Sequence, residues 1–211
     1  QINSSYPLKK KNENFIKILK PLTSFKFSPY KNKKNLRDQD RRIDLNSIHN
    51  INRIAESDTV EGGASLTYGV EFNKNRLEDD AEVFTMKFAN VLRLNENENL
   101  PGNNDLGKKT SDFFGSFGFY PNSIYKIDYD FSIDSDLDKT KYQSLESEIS
   151  VNNFITTFQY LNENNTNDSQ SYLSNKTSYN FNDLNNLSFE TRKNKKTNMT
   201  EFYNLIYQYK N

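Results

Sequence analysis

The alternation of apolar and polar residues is clearest between Val60 and Phe72. Val60, Gly62, Ala64, Leu66, Tyr68, Val70 and Phe72 fall on one side of an extended backbone. Glu61, Gly63, Ser65, Thr67, Gly69 and Glu71 fall on the other. This period of two predicts a β-strand with one apolar and one polar face. Its length suits a strand that crosses a bilayer, for which roughly 9–11 tilted residues are needed. Glycines at 62, 63 and 69 weaken an ordinary strand and point to a bend or the close approach of another backbone.

The pattern recurs along the chain. Phe15 to Phe27 reads as a strand interrupted by Pro21, which an edge or a bulge tolerates. Val83 to Leu94 places Phe84, Met86, Phe88, Leu92 and Leu94 on one face, with Lys87, Ala89, Val91 and Arg93 on the other. Ser111 to Tyr120 carries Phe113, Gly115, Phe117 and Phe119 in phase. In Tyr125 to Ile133, five apolar positions alternate with Lys126, Asp128, Asp130 and Ser132. Further strands are expected at 142–151, 154–161, 172–181, 187–193 and 199–209. About ten long strands with no helix between them predict an all-β, antiparallel up-and-down meander. Gln1 to Glu13 is polar and lysine-rich and is expected to be a poorly ordered lead-in to a domain spanning 14–211. The long segment 28–59 is read as a loop with a short helical turn near Asn46 to Asn50.

The connections add a second regularity. Those at 121–123, 152–153 and 182–186 are short, whereas 28–59, 95–110, 134–141, 162–171 and 194–198 are longer and polar. An outer-membrane barrel has tight turns at one end and long loops at the other. Aromatic residues at strand ends, among them Phe72, Phe119, Tyr120, Tyr125, Tyr160, Tyr172, Phe181 and Tyr209, fit interfacial girdles. A soluble sandwich would bury the apolar side and a membrane barrel would expose it to lipid, and alternation alone leaves both open. Low mean hydropathy, −0.93, does not exclude the membrane, because alternating strands average out. Ten strands that stop in mid-pattern would not close, and open edges in lipid are costly. The chain is therefore expected to be part of a larger transmembrane outer-membrane β-barrel.

Composition narrows the functional classes. The 28 basic and 28 acidic residues balance, so no basic field points to nucleic acid. Cysteine is absent, which removes disulfides and thiol chemistry. His49 is the single histidine and is read as a solvated loop residue without catalytic partners. Asp128 and Asp130 share a face with Lys126 and read as a hydrated, mixed-charge wall rather than a carboxylate pair. Asp134, Asp136 and Asp138 alternate without the glycine and terminal glutamate of a calcium loop. No enzyme, cofactor or metal site is expected.

The run Asn52-Arg53-x4-Asp58-x-Val60-Glu61-Gly62-Gly63, continuing to Thr67-Tyr68-Gly69, resembles a signature of the LptD family of outer-membrane proteins that insert lipopolysaccharide (LPS) into the outer leaflet. The family pattern is Asn-Arg-Phe-x-Gly-x-Asp-Arg-x-Glu-Gly-Gly followed by a strand with Tyr-Gly. This chain has Ile54 for Phe, Glu56 for Gly and Thr59 for Arg. The resemblance runs over most of 15–209 and places the chain in the C-terminal barrel portion of such a protein. It implies LPS transport at the outer membrane of a Gram-negative bacterium. The sugar head would pass through a polar lumen and the acyl chains would leave sideways between strands. It also implies an LptE-like lipoprotein plug and a periplasmic Lpt bridge as partners. The family's lateral gate, between the first and last barrel strands, is expected to lie outside this chain.

Two residue sets follow. Asn52, Arg53, Asp58, Glu61, Gly62 and Gly63 are the candidate loop brace, in which an arginine between acids fixes a loop's shape by charge-assisted bonds. That loop either plugs the barrel and shapes the lipid's route or is a brace without substrate contact. Glu71, Lys87, Arg93, Lys126, Asp128 and Asp130 are the candidate lumen-facing polar residues. The alternatives to LPS transport are another outer-membrane barrel such as a porin-like channel, and a soluble β-sandwich binding module.

Overall fold

The computed structural model describes residues 1–30, 35–37, 43–54, 61–164 and 169–210. Twelve strands form one antiparallel sheet: β1 (Ile2–Ser5), β2 (Leu8–Lys11), β3 (Phe15–Ser28), β4 (Gly63–Arg76), β5 (Glu82–Arg93), β6 (Phe113–Phe119), β7 (Tyr125–Ile133), β8 (Thr140–Val151), β9 (Phe154–Asn164), β10 (Ser169–Asn180), β11 (Asn185–Asn194) and β12 (Thr200–Tyr209). From β3 to β12 spatial order follows chain order, so the sheet is the expected meander. It is open, since among the described residues β12 pairs only with β11. Among the described residues no helix is long and apolar enough to cross a membrane.

The two strands beyond the expected ten come from the lysine-rich N-terminal segment. β1 pairs with Leu22 to Phe25 and β2 with Ile16 to Leu19, both along the free edge of β3. They amount to one edge strand with a gap at Tyr6 and Pro7. Pro7 has no N–H to donate, and Pro21 stands opposite the gap. The Tyr6 N–H still reaches the Pro21 carbonyl at 3.2 Å. Backbone pairing orders this segment although its side chains stay exposed.

Strand bounds also shift. β4 begins at Gly63, after Val60, which lies outside the described residues. It runs on to Arg76 because β3 pairs with it as far as Phe15 opposite Arg76. As the strands extend, the expected contrast in loop length narrows. Tight connections at 77–81, 120–124, 152–153 and 181–184 share one end of the sheet. At the other end only 29–62 and 94–112 are long, and 134–139, 165–168 and 195–199 are short as well.

The two faces differ in kind. Leu66 and Tyr68 are 41% and 38% exposed, whereas Ser65 and Thr67, on the opposite face, are 3% and 2% exposed. The same exposed side carries Phe25, Ile127, Leu145, Phe158, Leu173 and Phe189. Among the described residues no second sheet covers it. The buried hydrophobic cluster lies on the polar side. There Leu36, Ile43, Ile48 and Ile54 of the β3–β4 loop meet Leu100 and Leu106 of the β5–β6 loop over Ala89, Val91 and Phe114. The two loops are also tied by backbone bonds, Leu36 N–H to Asn99 O at 2.8 Å and Gly102 N–H to Arg37 O at 3.3 Å.

Candidate functional site

The loop brace is built around one carboxylate. Glu61 precedes β4, and its side chain is 2% exposed. Arg53 donates to both of its oxygens, Nε to Oε2 at 2.7 Å and Nη2 to Oε1 at 3.0 Å, a forked pairing. The same guanidinium donates to Ser65 Oγ at 2.6 Å and Thr67 Oγ1 at 2.9 Å. These hydroxyls lie two residues apart on the polar face of β4, so strand periodicity sets both ends of the clamp. Arg53 thus carries the loop turn at 51–54 onto the sheet.

Two further cations reach Glu61 from neighbouring strands. Lys26 of β3 donates to Oε2 at 3.1 Å and to the Ile51 carbonyl at 2.6 Å. Arg93, the last residue of β5, donates to Glu61 Oε1 and to the Gly62 carbonyl. Register explains the convergence, because Ser65 lies opposite both Lys26 and Arg93. Gly63 adopts φ +90°, a conformation that favours glycine, and a Cβ there would stand 3.1 Å from Arg93 Nη2. Burial by itself raises the pKa of Glu61. Attraction by Arg53 and then Lys26 outweighs it and holds the carboxyl below its ordinary value.

Of the expected brace residues, Arg53, Glu61, Gly62 and Gly63 come together, Asn52 adjoins Arg53, and Asp58 lies outside the described residues. Lys26, Ser65 and Thr67 join the site from the strands. His49 is not a solvated loop residue. It is half-buried, with Nδ1 3.0 Å from Ser24 Oγ on β3. It docks the same loop further along the polar face.

The six candidate wall residues share that face but differ in surroundings. Glu71 pairs with Lys20 at 3.2 Å and Lys126 with Glu148 at 2.9 Å, both partly exposed. Asp128 accepts the Tyr120 hydroxyl. Lys87 and Asp130 line a cavity of about 170 Å³ under the loop residues Ile43 to Asn46. Arg93 is buried in the brace and makes no wet surface. Asp134 closes its own turn, accepting the N–H groups of Asp138 and Lys139 on Oδ1.

A second lock, absent from the sequence reading, holds the β5–β6 loop. Lys141 of β8 donates to Asp105 at 2.8 Å and to Asp112 at 2.9 Å. Burial pushes the Asp112 carboxyl up to about 7, with Lys141 opposing. Beside it, Asn90 on β5 donates from Nδ2 to the Ser111 and Asp112 carbonyls at 2.8 and 3.0 Å. The Ser111 hydroxyl accepts the Val91 N–H at 3.0 Å. Side chains here fill the break in register between the Ala89–Phe114 pair and the Leu92–Thr110 bridge.

An antiparallel meander with an aromatic, aliphatic skin on one side and charged groups and packed loops on the other is the wall of a membrane β-barrel. Over residues 1–209 the chain matches the family described as LPS transport system D, and it belongs to that family, LptD. No curated protein matches it. The family serves LPS transport and assembly at the outer membrane.

Proposed function

We propose that this chain supplies wall and loops to an outer-membrane barrel that inserts LPS into the outer leaflet. The sugar head passes along the polar face and the acyl chains leave sideways between barrel strands. Glu71, Lys87, Lys126, Asp128 and Asp130 line the wet interior. The Glu61 brace holds the β3–β4 loop across that interior, where with the β5–β6 loop it narrows the route on the β3–β7 side. The setting is the outer membrane of a Gram-negative bacterium. An LptE-like lipoprotein plug and a periplasmic Lpt bridge are the partners that membership in the family supports.

The observation that carries this reading is the inversion of the sheet: apolar side chains exposed, polar ones beneath loops. Photocrosslinking from the full-length protein in cells tests it. A photoreactive residue replacing Lys126 is expected to label the sugar portion of LPS, and one replacing Tyr129 to label acyl chains. The reverse assignment would overturn the orientation and the transport role with it.

A further inference from the structure

One interruption in the apolar skin has the form of a binding site. On the outward face of the sheet, Tyr68 of β4 stands opposite Asn90 of β5. Asn90 projects nothing outward: it is 0% exposed, and its amide is turned aside onto the Ser111 and Asp112 carbonyls. A row of aromatic and aliphatic side chains therefore lacks one member. The gap is a hollow of about 410 Å³, bordered by Tyr68, Val70, Phe88, Phe113, Phe131 and Leu137.

Two features keep it open. Gly115 lets the Phe131 ring lie down on β6, where any Cβ would collide with that ring. Leu137, in the β7–β8 turn, sits at φ +62°, an unusual conformation for leucine, and is 62% exposed. Such outliers gather at ligand clamps. The backbone here thus holds a large apolar side chain at the margin of an apolar hollow.

We propose that this hollow seats one acyl chain of an LPS molecule in the outer leaflet. The inference rests on the orientation given under Proposed function. The hollow is continuous with the lipid-facing skin, so its occupant arrives from the membrane. It lies toward the long-loop end, the outward end of a barrel of this kind. Asn90 is three residues short of the end of β5, roughly 10 Å along the strand at about 3.4 Å per residue. That depth is below the headgroups and among the chains of the outer leaflet. An apolar chain gains by filling the site because its border is aromatic and aliphatic and the Asn90 amide nitrogen beneath it is already engaged. The site would hold a newly delivered molecule against the outside of the barrel.

The test is photocrosslinking in the intact protein in cells, with a photoreactive residue replacing Phe113 at the hollow or Phe189 on plain skin. LPS is expected at Phe113 about tenfold above Phe189. Val70→Trp, which fills the hollow from the outward face, should return Phe113 to the Phe189 level. Leu137→Ser is a second variant that leaves the strands untouched and should lower the yield in the same direction. Equal labelling at both positions, or phospholipid in place of LPS at Phe113, would overturn the site. The Lys126 and Tyr129 labels would still stand in that case. A reversed Lys126 and Tyr129 pattern would instead remove the orientation itself.

Discussion

Replacing Glu61 with alanine removes the only carboxylate that the described residues bring to Lys26, Arg53 and Arg93. Four charge-assisted contacts disappear at once: two from Arg53, one from Lys26 and one from Arg93. Three cations with side chains 6% exposed or less then face one another. Removing one partner of a buried ion pair costs about 3–5 kcal/mol, because the remaining charge is uncompensated. The strain falls on loop docking, since the sheet keeps its ladders. Undocked loop should rise by roughly 10² to 10⁴-fold at about 1.36 kcal/mol per decade. Trypsin reports this directly, because Arg53 is protected while its side chain is clamped to Glu61, Ser65 and Thr67. Cleavage after Arg53 in folded, full-length Glu61→Ala protein should accelerate by about 100-fold or more. The control is Glu71→Gln, whose Lys20 pair is partly exposed and worth at most about 1 kcal/mol. Cleavage within about twofold of the parent protein would refute the claim that Glu61 holds the loop.

The two locks should respond oppositely to pH. Asp112 titrates near 7 when docked, above its ordinary 3.8, so β5–β6 loop docking should weaken as pH rises from about 4 to 7; Asp112→Asn should abolish that slope in hydrogen exchange at 100–112. Glu61 titrates below its ordinary 4.5, so its contribution should be intact above that value and lost as pH falls through the lowered one, and Glu61→Ala should remove the acid-side change in exchange at 43–54. Asn90→Leu takes the amide donor from the Ser111 carbonyl, at about 1–3 kcal/mol, and leaves the Asp112 carbonyl with the Ser111 hydroxyl alone. It should lower the temperature at which the folded barrel loses its compact electrophoretic mobility. Gly115→Val drives a side chain into the Phe131 ring and should impair barrel assembly, with Phe131→Ala restoring it.

The strands were legible because each carries its own record of which side is which. Tyr125 to Ile133 announces β7 without reference to any neighbour. Arg53 with Glu61 was legible for a similar reason: a short motif holds both partners. Lys26 and Arg93 were not, because their meeting at Glu61 depends on the register of β3 and β5 against β4. The phase of β5 gives the side on which Arg93 lies, but not its place in the brace. The cluster of Leu36, Ile48, Leu100 and Leu106 left no trace in the pattern, since loop residues have no period to read. Asn90 breaks the alternation at a single position, and its reason lies 21 residues away at Ser111. The N-terminal lead-in looked too charged to order, yet an unpaired edge on β3 accepts backbone whatever its side chains.

The hydrophobic cluster and the aromatic skin occupy opposite sides of the same strands, so this sheet answers to two solvents. Exchange of lipid for detergent touches only the skin. Urea or acid reaches the cluster first, through the watery side. Denaturation should therefore come apart in stages, the inner loops shedding while the cylinder wall keeps its circular dichroism. Loop docking and strand pairing are thus held by separate sets of contacts on the two sides of one sheet.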